Sequence, residues 1–278
     1  MSTMVKRENI NGSVFANVIE NTITKANEGI VAREGDYEID GILHCCKCHT
    51  PKQKRIELFG TVRKPMCLCK CEAEIANEKA RREQIEILRS RCIPDASMRG
   101  YTFENDDRQN AKIIDIAKEY VDNFDDNFKN GIGLVLFGGT GCGKTYASVC
   151  IANALIDKGK RCKLTSFPQI AREWEGMYGH KEEYLTTLNA NDLLIIDDLG
   201  VERDAPIIYE MMYAVIDSRA RAKKPLIITT NLTSNELKND VDKRIGSRLY
   251  EMCDFVECVG EDRRKKSLIK RHRENASC

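Results

Sequence analysis

The 278-residue sequence has no apolar run near the roughly 20 residues that a membrane-spanning helix needs. Its opening stretch, MSTMVKRENINGSVFANVIENTIT, has no long apolar core, so it reads as neither a signal peptide nor an anchor. Both absences lead to the expectation of a cytoplasmic protein without a membrane partner. Surplus charge is missing too. With 44 Lys and Arg against 43 Asp and Glu, the net charge is +1, and any attraction for nucleic acid must come from local patches. No internal repeat and no low-complexity segment is found. Cysteine, by contrast, is plentiful at 13 residues and unevenly spread, with Cys45, Cys46, Cys48, Cys67, Cys69 and Cys71 falling within 27 positions. A reducing compartment disfavours stable disulfides. The scattered remainder, among apolar neighbours, fits small buried hydrophobes.

Four regions follow one another. Residues 1–40 are polar, with weak helical periodicity around VFANVIENTI. Residues 41–71 carry the cysteines, and TPKQKRIELFGTVRKP between the two groups reads as a hairpin or loop. Residues 72–92 are helix formers of alternating charge sign, which predicts a solvated helix. Pro94 ends that helix and marks the expected linker. From about residue 100, the apolar runs IGLVLFG (132–138), CKLTSF (162–167), LLIID (193–197) and PLIITT (225–230) alternate with helical stretches. That alternation predicts an α/β fold with a parallel sheet covered by helices. The expected division is an N-terminal region over 1–92 and a nucleotide-binding domain over 93–278. Met211 and Met212 read as core filler.

GGTGCGKT, residues 138–145, satisfies the G-x-x-x-x-G-K-[ST] pattern between an apolar strand and a helix. Gly138, Gly141 and Gly143 let the backbone turn tightly so that successive N–H groups face phosphate oxygens. Lys144 brings positive charge to the outer phosphates, the Thr145 hydroxyl suits Mg²⁺, and the helix dipole adds to both. The expected nucleotide contacts run through Gly138, Gly139, Thr140, Gly141, Cys142, Gly143, Lys144, Thr145 and Tyr146. LLIIDDLG then places Asp197 at the end of an apolar strand, where a cation would offset its burial, as a second Mg²⁺ ligand. Asp198 is the candidate to polarise an attacking water. The absence of an NKxD-like guanine reader speaks against a GTPase, and the absence of an LSGGQ-like signature against a transporter ATPase. LIITTN ends a further strand in Thr230 and Asn231, where a polar tip can lie between the acids and the terminal phosphate. In KRIGSRLYEMC, Arg244 and Arg248 share a helical face, each with a forked cationic donor.

The run LFGGTGCGKT … LLIIDDLGVERD … YAVIDSRARAKKPLIITTNLT … RIGSRLYEMC … GEDRR resembles the AAA+ ATPases of the DnaC/DnaI type, the replicative helicase loaders, especially versions from phages and mobile elements of Gram-positive bacteria. The resemblance covers roughly residues 95–265. It implies an AAA+ P-loop NTPase domain with ATP and Mg²⁺, Asn231 as sensor, Arg248 as an arginine finger reaching a neighbouring subunit with Arg244 beside it, and self-association through that interface. Arg263 or Arg264 would be the later sensor arginine, with Arg264 taken as the nucleotide contact. Asp198 stands where most AAA+ proteins carry Glu, a substitution that the loaders share and that suits a slow switch. The 30 residues after Arg248 are too few for a full helical lid.

Cys45-x₂-Cys48, followed about 20 residues later by a second cysteine group, comes close to a zinc pattern. The C-x-C spacing of that group leaves the choice among Cys67, Cys69 and Cys71 open. The resemblance, in which a CxxC…CxC module precedes the ATPase, favours Zn²⁺ on Cys45, Cys48, Cys69 and Cys71, with Cys46, Cys67, His44 and His49 as substitutes. A redox pair is the runner-up. The same resemblance implies that the N-terminal module grips a hexameric DnaB-type helicase while the ATPase responds to ATP and single-stranded DNA. The competing readings are a transposition helper of the IstB type acting on duplex DNA, and an ATP-switched adaptor. RRKKSLIKRHR (263–273) could meet phosphates and Trp174 could stack on a base, but such runs are more often solvated tails and helix packing is the favoured role for the tryptophan.

Overall fold

The computed structural model describes residues 31–58, 60–107, 110–177, 179–200, 206–239, 243–260 and 262, and the chain divides into two compact units at Glu83 and Gln84. The periodicity expected around residues 14–23, Arg263, Arg264 and the basic cluster lie outside the described residues.

In the smaller unit, β1 (Tyr37–Ile39) pairs antiparallel with β2 (Ile42–His44), and β3 (Ile56–Leu58) pairs with β4 (Thr61–Arg63). Asp40 and Gly41 join the first pair with φ of 51° and 69°, the left-handed pair that a two-residue type I′ hairpin demands. Three-residue strands cannot cover a core, and β1 and β4 are exposed throughout. Among the described residues up to Glu83, only Cys45, Cys69 and Lys52 are buried. Lys52 uses all three of its N–H bonds, reaching Asp36 Oδ2 at 2.9 Å, Glu72 Oε1 at 3.1 Å and the carbonyl of Val31 at 3.1 Å. A buried ammonium is tolerable only when satisfied in this way.

Helix α1 (Lys70–Cys92) crosses the division. Its early turns carry exposed charge with i,i+4 pairs such as Arg82 Nε to Glu78 Oε1 at 2.8 Å. Its last turns pack differently: Ile85, Leu88 and Cys92 join the core of the larger unit, as does Ile93. By packing, that unit therefore starts inside the helix, ahead of the linker expected at Pro94.

The larger unit contains β5 (Gly133–Phe137), β6 (Cys162–Ser166), β7 (Leu193–Leu199), β8 (Leu226–Thr230) and β9 (Cys253–Glu257), all parallel in the order β6-β7-β8-β5-β9. Strands β5 and β8 are wholly buried and β7 nearly so, because helices cover both faces. The period of two splits each strand between two cores. Leu134, Leu136, Ile195 and Ile227 face α2 (Ala111–Asp122), α3 (Phe124–Asn130) and α4 (Lys144–Asp157). Val135, Leu194, Ile196 and Ile228 face α5 (Phe167–Glu175), α6 (Lys181–Asn189), α7 (Pro206–Arg221) and α9 (Lys243–Met252). Met211 and Met212 are buried in the second core. Short α8 (Ser234–Asn239) follows β8. Strand β9 was not among the runs expected from sequence. It is an edge strand whose CDFVE is interrupted by Asp254 and closed by Glu257, and so does not read as an unbroken buried run.

Candidate functional site

The strand order decides the chemistry. Strand β8 lies between β5, which feeds the glycine loop, and β7, which ends in the two acids, so the tip of β8 separates the lysine from the carboxylates. Lys144 opens α4, is buried, and donates to the carbonyls of Gly138 (2.8 Å) and Gly139 (2.7 Å) and to Asn231 Oδ1 (2.9 Å). Asn231 Nδ2 in turn donates to Asp198 Oδ1 at 2.7 Å. One amide therefore bridges the cation on α4 and the acid on β7.

On the same floor, Asp197 Oδ1 accepts from the Thr145 hydroxyl at 2.9 Å and from the Thr229 hydroxyl at 2.6 Å. The Thr229 oxygen also receives the Asp198 backbone N–H at 2.9 Å. The β7–β8 register slips between Ile196 and Leu199, and within this bulge Asp198 adopts φ 63°. A bulge re-aims side chains, and a left-handed non-glycine residue carries backbone strain, both common beside functional sites. The two consecutive acids thereby serve the same cavity instead of alternating across the sheet.

Gly138, Gly141 and Gly143 have φ of 130°, 75° and 100°. Space as well as conformation demands glycine at the first two. A Cβ on Gly138 would come within 2.6 Å of the Cys258 carbonyl oxygen, and one on Gly141 within 2.0 Å of Asp262 Oδ1.

The cavity measures about 310 Å³. Thr140, Gly141, Gly143, Lys144, Thr145, Tyr146, Asp197, Asp198, Thr229 and Asn231 all line it. Met98 and Tyr101 close one side, with Tyr101 4.9 Å from Tyr146 between ring centroids. The Tyr146 hydroxyl donates to the Thr102 carbonyl at 2.9 Å.

Three lining residues escaped the sequence reading. Met98 and Tyr101 precede every motif and carry no pattern of their own. Thr229 was available from strand alternation: it shares a face with Asn231, while Thr230 is fully buried and donates to the Leu199 carbonyl at 2.6 Å. Thr230, named with Asn231 as the strand tip, therefore points away from the cavity.

Arg248 is not among the cavity's lining residues. Its Nε reaches Asp217 Oδ1 at 2.9 Å and its Nη1 reaches Glu251 Oε2 at 2.7 Å, which raises its already high pKa, Glu251 contributing most. One turn earlier, Arg244 stacks over Tyr213 at 5.0 Å, so the arginine pair on α9 faces a matching i,i+4 pair on α7. Trp174 packs in the second core, edge-on to Tyr184 at 6.1 Å.

In the smaller unit the sulfurs of Cys45, Cys48, Cys69 and Cys71 all lie within 4.8 Å of one another. A tetrahedron of thiolates about 2.3 Å from Zn²⁺ has edges of about 3.8 Å, so four sulfurs this close fit that ion. Thr50 holds the Cys48 thiol down to about 5, whereas burial pushes Cys69 up. The substitutes are engaged elsewhere. Cys46 Sγ contacts the Glu34 carbonyl, Cys67 Sγ that of Pro51, His49 Nδ1 lies 2.7 Å from the Tyr37 hydroxyl, and His44 Nδ1 lies 2.8 Å from the Ile42 carbonyl.

A parallel sheet with an inserted polar strand tip, a glycine loop, a buried lysine and paired acids together define a nucleotide-binding α/β domain of the AAA+ ATPase class. Comparison with known proteins agrees and is more specific. The profile of the family described as "IstB-like ATP binding protein" matches residues 68–271, well over half of the chain, and the chain belongs to that family. Among curated proteins it is similar to the replicative helicase loader DnaC of Escherichia coli strain K12, 26% identical over 172 residues, which is 60% of this chain and 66% of the relative. It is also similar to the replicative helicase loader DnaI of Bacillus subtilis strain 168, 25% identical over 57% of this chain and 52% of the relative. The match thus spans about two thirds of one relative and half of the other. Among solved structures, a crystal structure of DnaI superposes with a TM-score of 0.50 at 23% identity, covering 63% of this chain and 98% of that one. The replication initiator DnaA, bound to AMPPCP and single-stranded DNA, gives 0.50 at 21%, covering 63% and 55%. At these identities the two structures speak for the fold alone. Among the described residues, no helix is long and apolar enough to cross a membrane.

Proposed function

We propose that the chain is an ATP-dependent loader that delivers a DnaB-type replicative helicase to single-stranded DNA in the cytoplasm, with the N-terminal region as a zinc-pinned docking module and the ATPase domain following it from within α1. The observation that carries this reading is the four-cysteine cluster ahead of the ATPase, because a bare nucleotide switch gives no reason for a separately folded head.

Within the ATPase, the glycine loop from Gly138 to Tyr146 cradles the triphosphate and Lys144 neutralises its outer phosphates. Thr145 and Asp197 would hold Mg²⁺, which, when bound, neutralises charge developing between the outer phosphates. Asp198 orients the attacking water, and Asn231, already bridging Lys144 and Asp198, senses whether a terminal phosphate separates them. Arg248, which does not line its own cavity, serves the nucleotide of a neighbouring copy, and Arg264 takes the role of the later sensor arginine that the resemblance implies. The short Asp198 side chain suits slow hydrolysis that times a switch. Cys45, Cys48, Cys69 and Cys71 hold Zn²⁺, which ties the hairpins to the start of α1.

The family's own description keeps a second reading in play, a transposition helper of the IstB type acting on duplex DNA. ATP turnover with each DNA form separates the two. Stimulation by single strands and capture of the replicative helicase support the loader, whereas stimulation by duplex alone refutes it. Lys144→Ala should abolish turnover in a folded protein, and normal turnover would remove the phosphate-loop assignment. Arg248→Ala should lose hydrolysis only where copies assemble, so an equal loss in a monomeric preparation argues against the finger.

A further inference from the structure

Between the end of α1 and the start of α2 the chain runs as a strap whose regular structure up to Thr102 is one 3₁₀ turn (Ala96–Gly100). Irregular backbone cannot satisfy its own carbonyls, so a strap held against a domain needs donors from elsewhere. Helix α4 supplies them. Asn153, almost wholly buried, donates through Nδ2 to the carbonyls of Tyr101 (2.8 Å) and Arg99 (3.3 Å), and the Tyr146 hydroxyl donates to that of Thr102 (2.9 Å). The acceptor side of Asn153 is engaged as well: Arg89 Nε, in the last turns of α1, donates to its Oδ1 at 3.1 Å. Arg89 is held in turn by Glu86 and by Asp157, one turn further along α4. One amide on α4 thus ties the end of α1 to the strap.

The strap has a second face. Met98 and Tyr101 line the phosphate-loop cavity, and the Tyr101 N–H donates to the Met98 carbonyl at 3.0 Å, which locks the two together. Lys144, Thr145 and the paired acids make up the phosphate end of that cavity. Met98, Tyr101 and Tyr146 add apolar and aromatic surface without charge, which suits the flat face of a purine.

We propose that Asn153, which does not line the cavity, is a positioning residue for the base of the nucleotide: it sets the strap that carries Met98 and Tyr101, and it makes base affinity depend on the last turns of α1. This deepens the reading of the cavity as an ATP site and rests on it. Without the amide, the carbonyls of Arg99 and Tyr101 lose their donor and Arg89 loses an acceptor, so the strap relaxes and the aromatic wall goes with it. Phosphate binding, carried by Lys144 and the N–H groups of the glycine loop, needs none of these contacts. Linkage runs both ways: a base resting on the wall holds the strap, the strap holds Asn153, and α1 is gripped more firmly through Arg89.

The test separates base from phosphate. Affinities for Mg-ATP and for magnesium tripolyphosphate, which has the phosphates without the nucleoside, are measured by calorimetry on the full-length chain with its zinc in place. Asn153→Ala should weaken Mg-ATP about tenfold, the scale of one lost base stack, and leave tripolyphosphate unchanged. Tyr101→Ala, which deletes the ring and keeps every hydrogen bond of the pin, should show the same split. Arg89→Ala should give a smaller loss in the same direction, restored by Arg89→Lys, which keeps a donor for the amide. In hydrogen exchange, Mg-ADP should slow the amides of residues 84–92 in the wild type, and tripolyphosphate should not.

Mg-ATP binding that is unchanged in folded Asn153→Ala overturns the proposal. Equal losses for Mg-ATP and tripolyphosphate also overturn it, since they mark Asn153 as general support for α4. Where Asn153→Ala does not fold, Arg89→Ala decides, and wild-type affinity there refutes the coupling. A wild-type chain that binds neither ligand overturns the phosphate-loop reading and this one with it.

Discussion

The two units of this chain reach a folded state by opposite means. The ATPase unit buries Leu136, Ile195, Ile227 and their neighbours in two continuous apolar cores on either face of its sheet. The cysteine unit has four strands of three residues and, among the described residues, buries two cysteines and one lysine. So small a segment cannot remove enough apolar surface from water to offset the entropy of ordering it. Its organising contacts are a thiol cluster and an ion knot, and both link the hairpin region to the first turn of α1. One unit is held by non-directional burial and the other by a few directional contacts, so each should fail under different insults.

Removing the metal is expected to break this contrast most. Structural zinc contributes on the order of 10–16 kcal/mol in small thiolate modules. A strong chelator should therefore unfold the cysteine unit while the ATPase unit keeps its thermal transition and its nucleotide binding. Metal analysis of the untreated protein should give one zinc per chain. A cysteine unit that stays folded after complete metal removal would end the comparison.

Next in size is Lys52→Met, which strands two partly buried carboxylates and should cost about 3–5 kcal/mol in that unit alone. Acid attacks the same knot. The Arg33 backbone N–H and then Lys52 hold Asp36 well below its ordinary 3.8, and Lys52, against the opposing effect of burial, brings Glu72 below its ordinary 4.5. A depressed carboxyl stabilises the fold above its unfolded-state value and loses that contribution as pH falls. Amide exchange in the cysteine unit should therefore accelerate below those ordinary values, and Lys52→Met should flatten the dependence.

In the other unit, Ile195→Ala should cost about 2–5 kcal/mol through an apolar cavity and leave zinc content unchanged. The smallest effect concerns Asp198, whose left-handed backbone is strained. Asp198→Gly should stabilise the ATPase unit by about 1 kcal/mol while suppressing ATP turnover, measured by denaturant titration and phosphate release. A loss of stability there would mean that the bulge depends on the aspartate side chain.

Much of the site was legible because its parts are local. GGTGCGKT places loop, lysine and hydroxyl within eight residues, and a buried parallel strand announces itself as an unbroken aliphatic run, which is why LLIIDD could be read. Edge strand β9, interrupted by Asp254 and Glu257, was missed, as were Met98 and Tyr101, which reach the cavity only because the chain ahead of α2 folds back upon α4. The cysteine choice shows the same limit. Spacing alone left Cys67, Cys69 and Cys71 open, whereas the fold gathers Cys69 and Cys71 with Cys45 and Cys48 and turns Cys67 to the Pro51 carbonyl.

By itself the sequence determined that a phosphate loop and paired acids would cap a parallel sheet, since residue type and spacing along one strand or turn are enough for that. Only the tertiary structure decided which distant groups meet. Asn231 joins Lys144 to Asp198 because β8 inserts between β5 and β7. The phosphate loop at Gly138 meets the Cys258 backbone because β9 returns beside β5. Such meetings depend on strand order, a property of packing between segments far apart in the chain, and no local pattern encodes it.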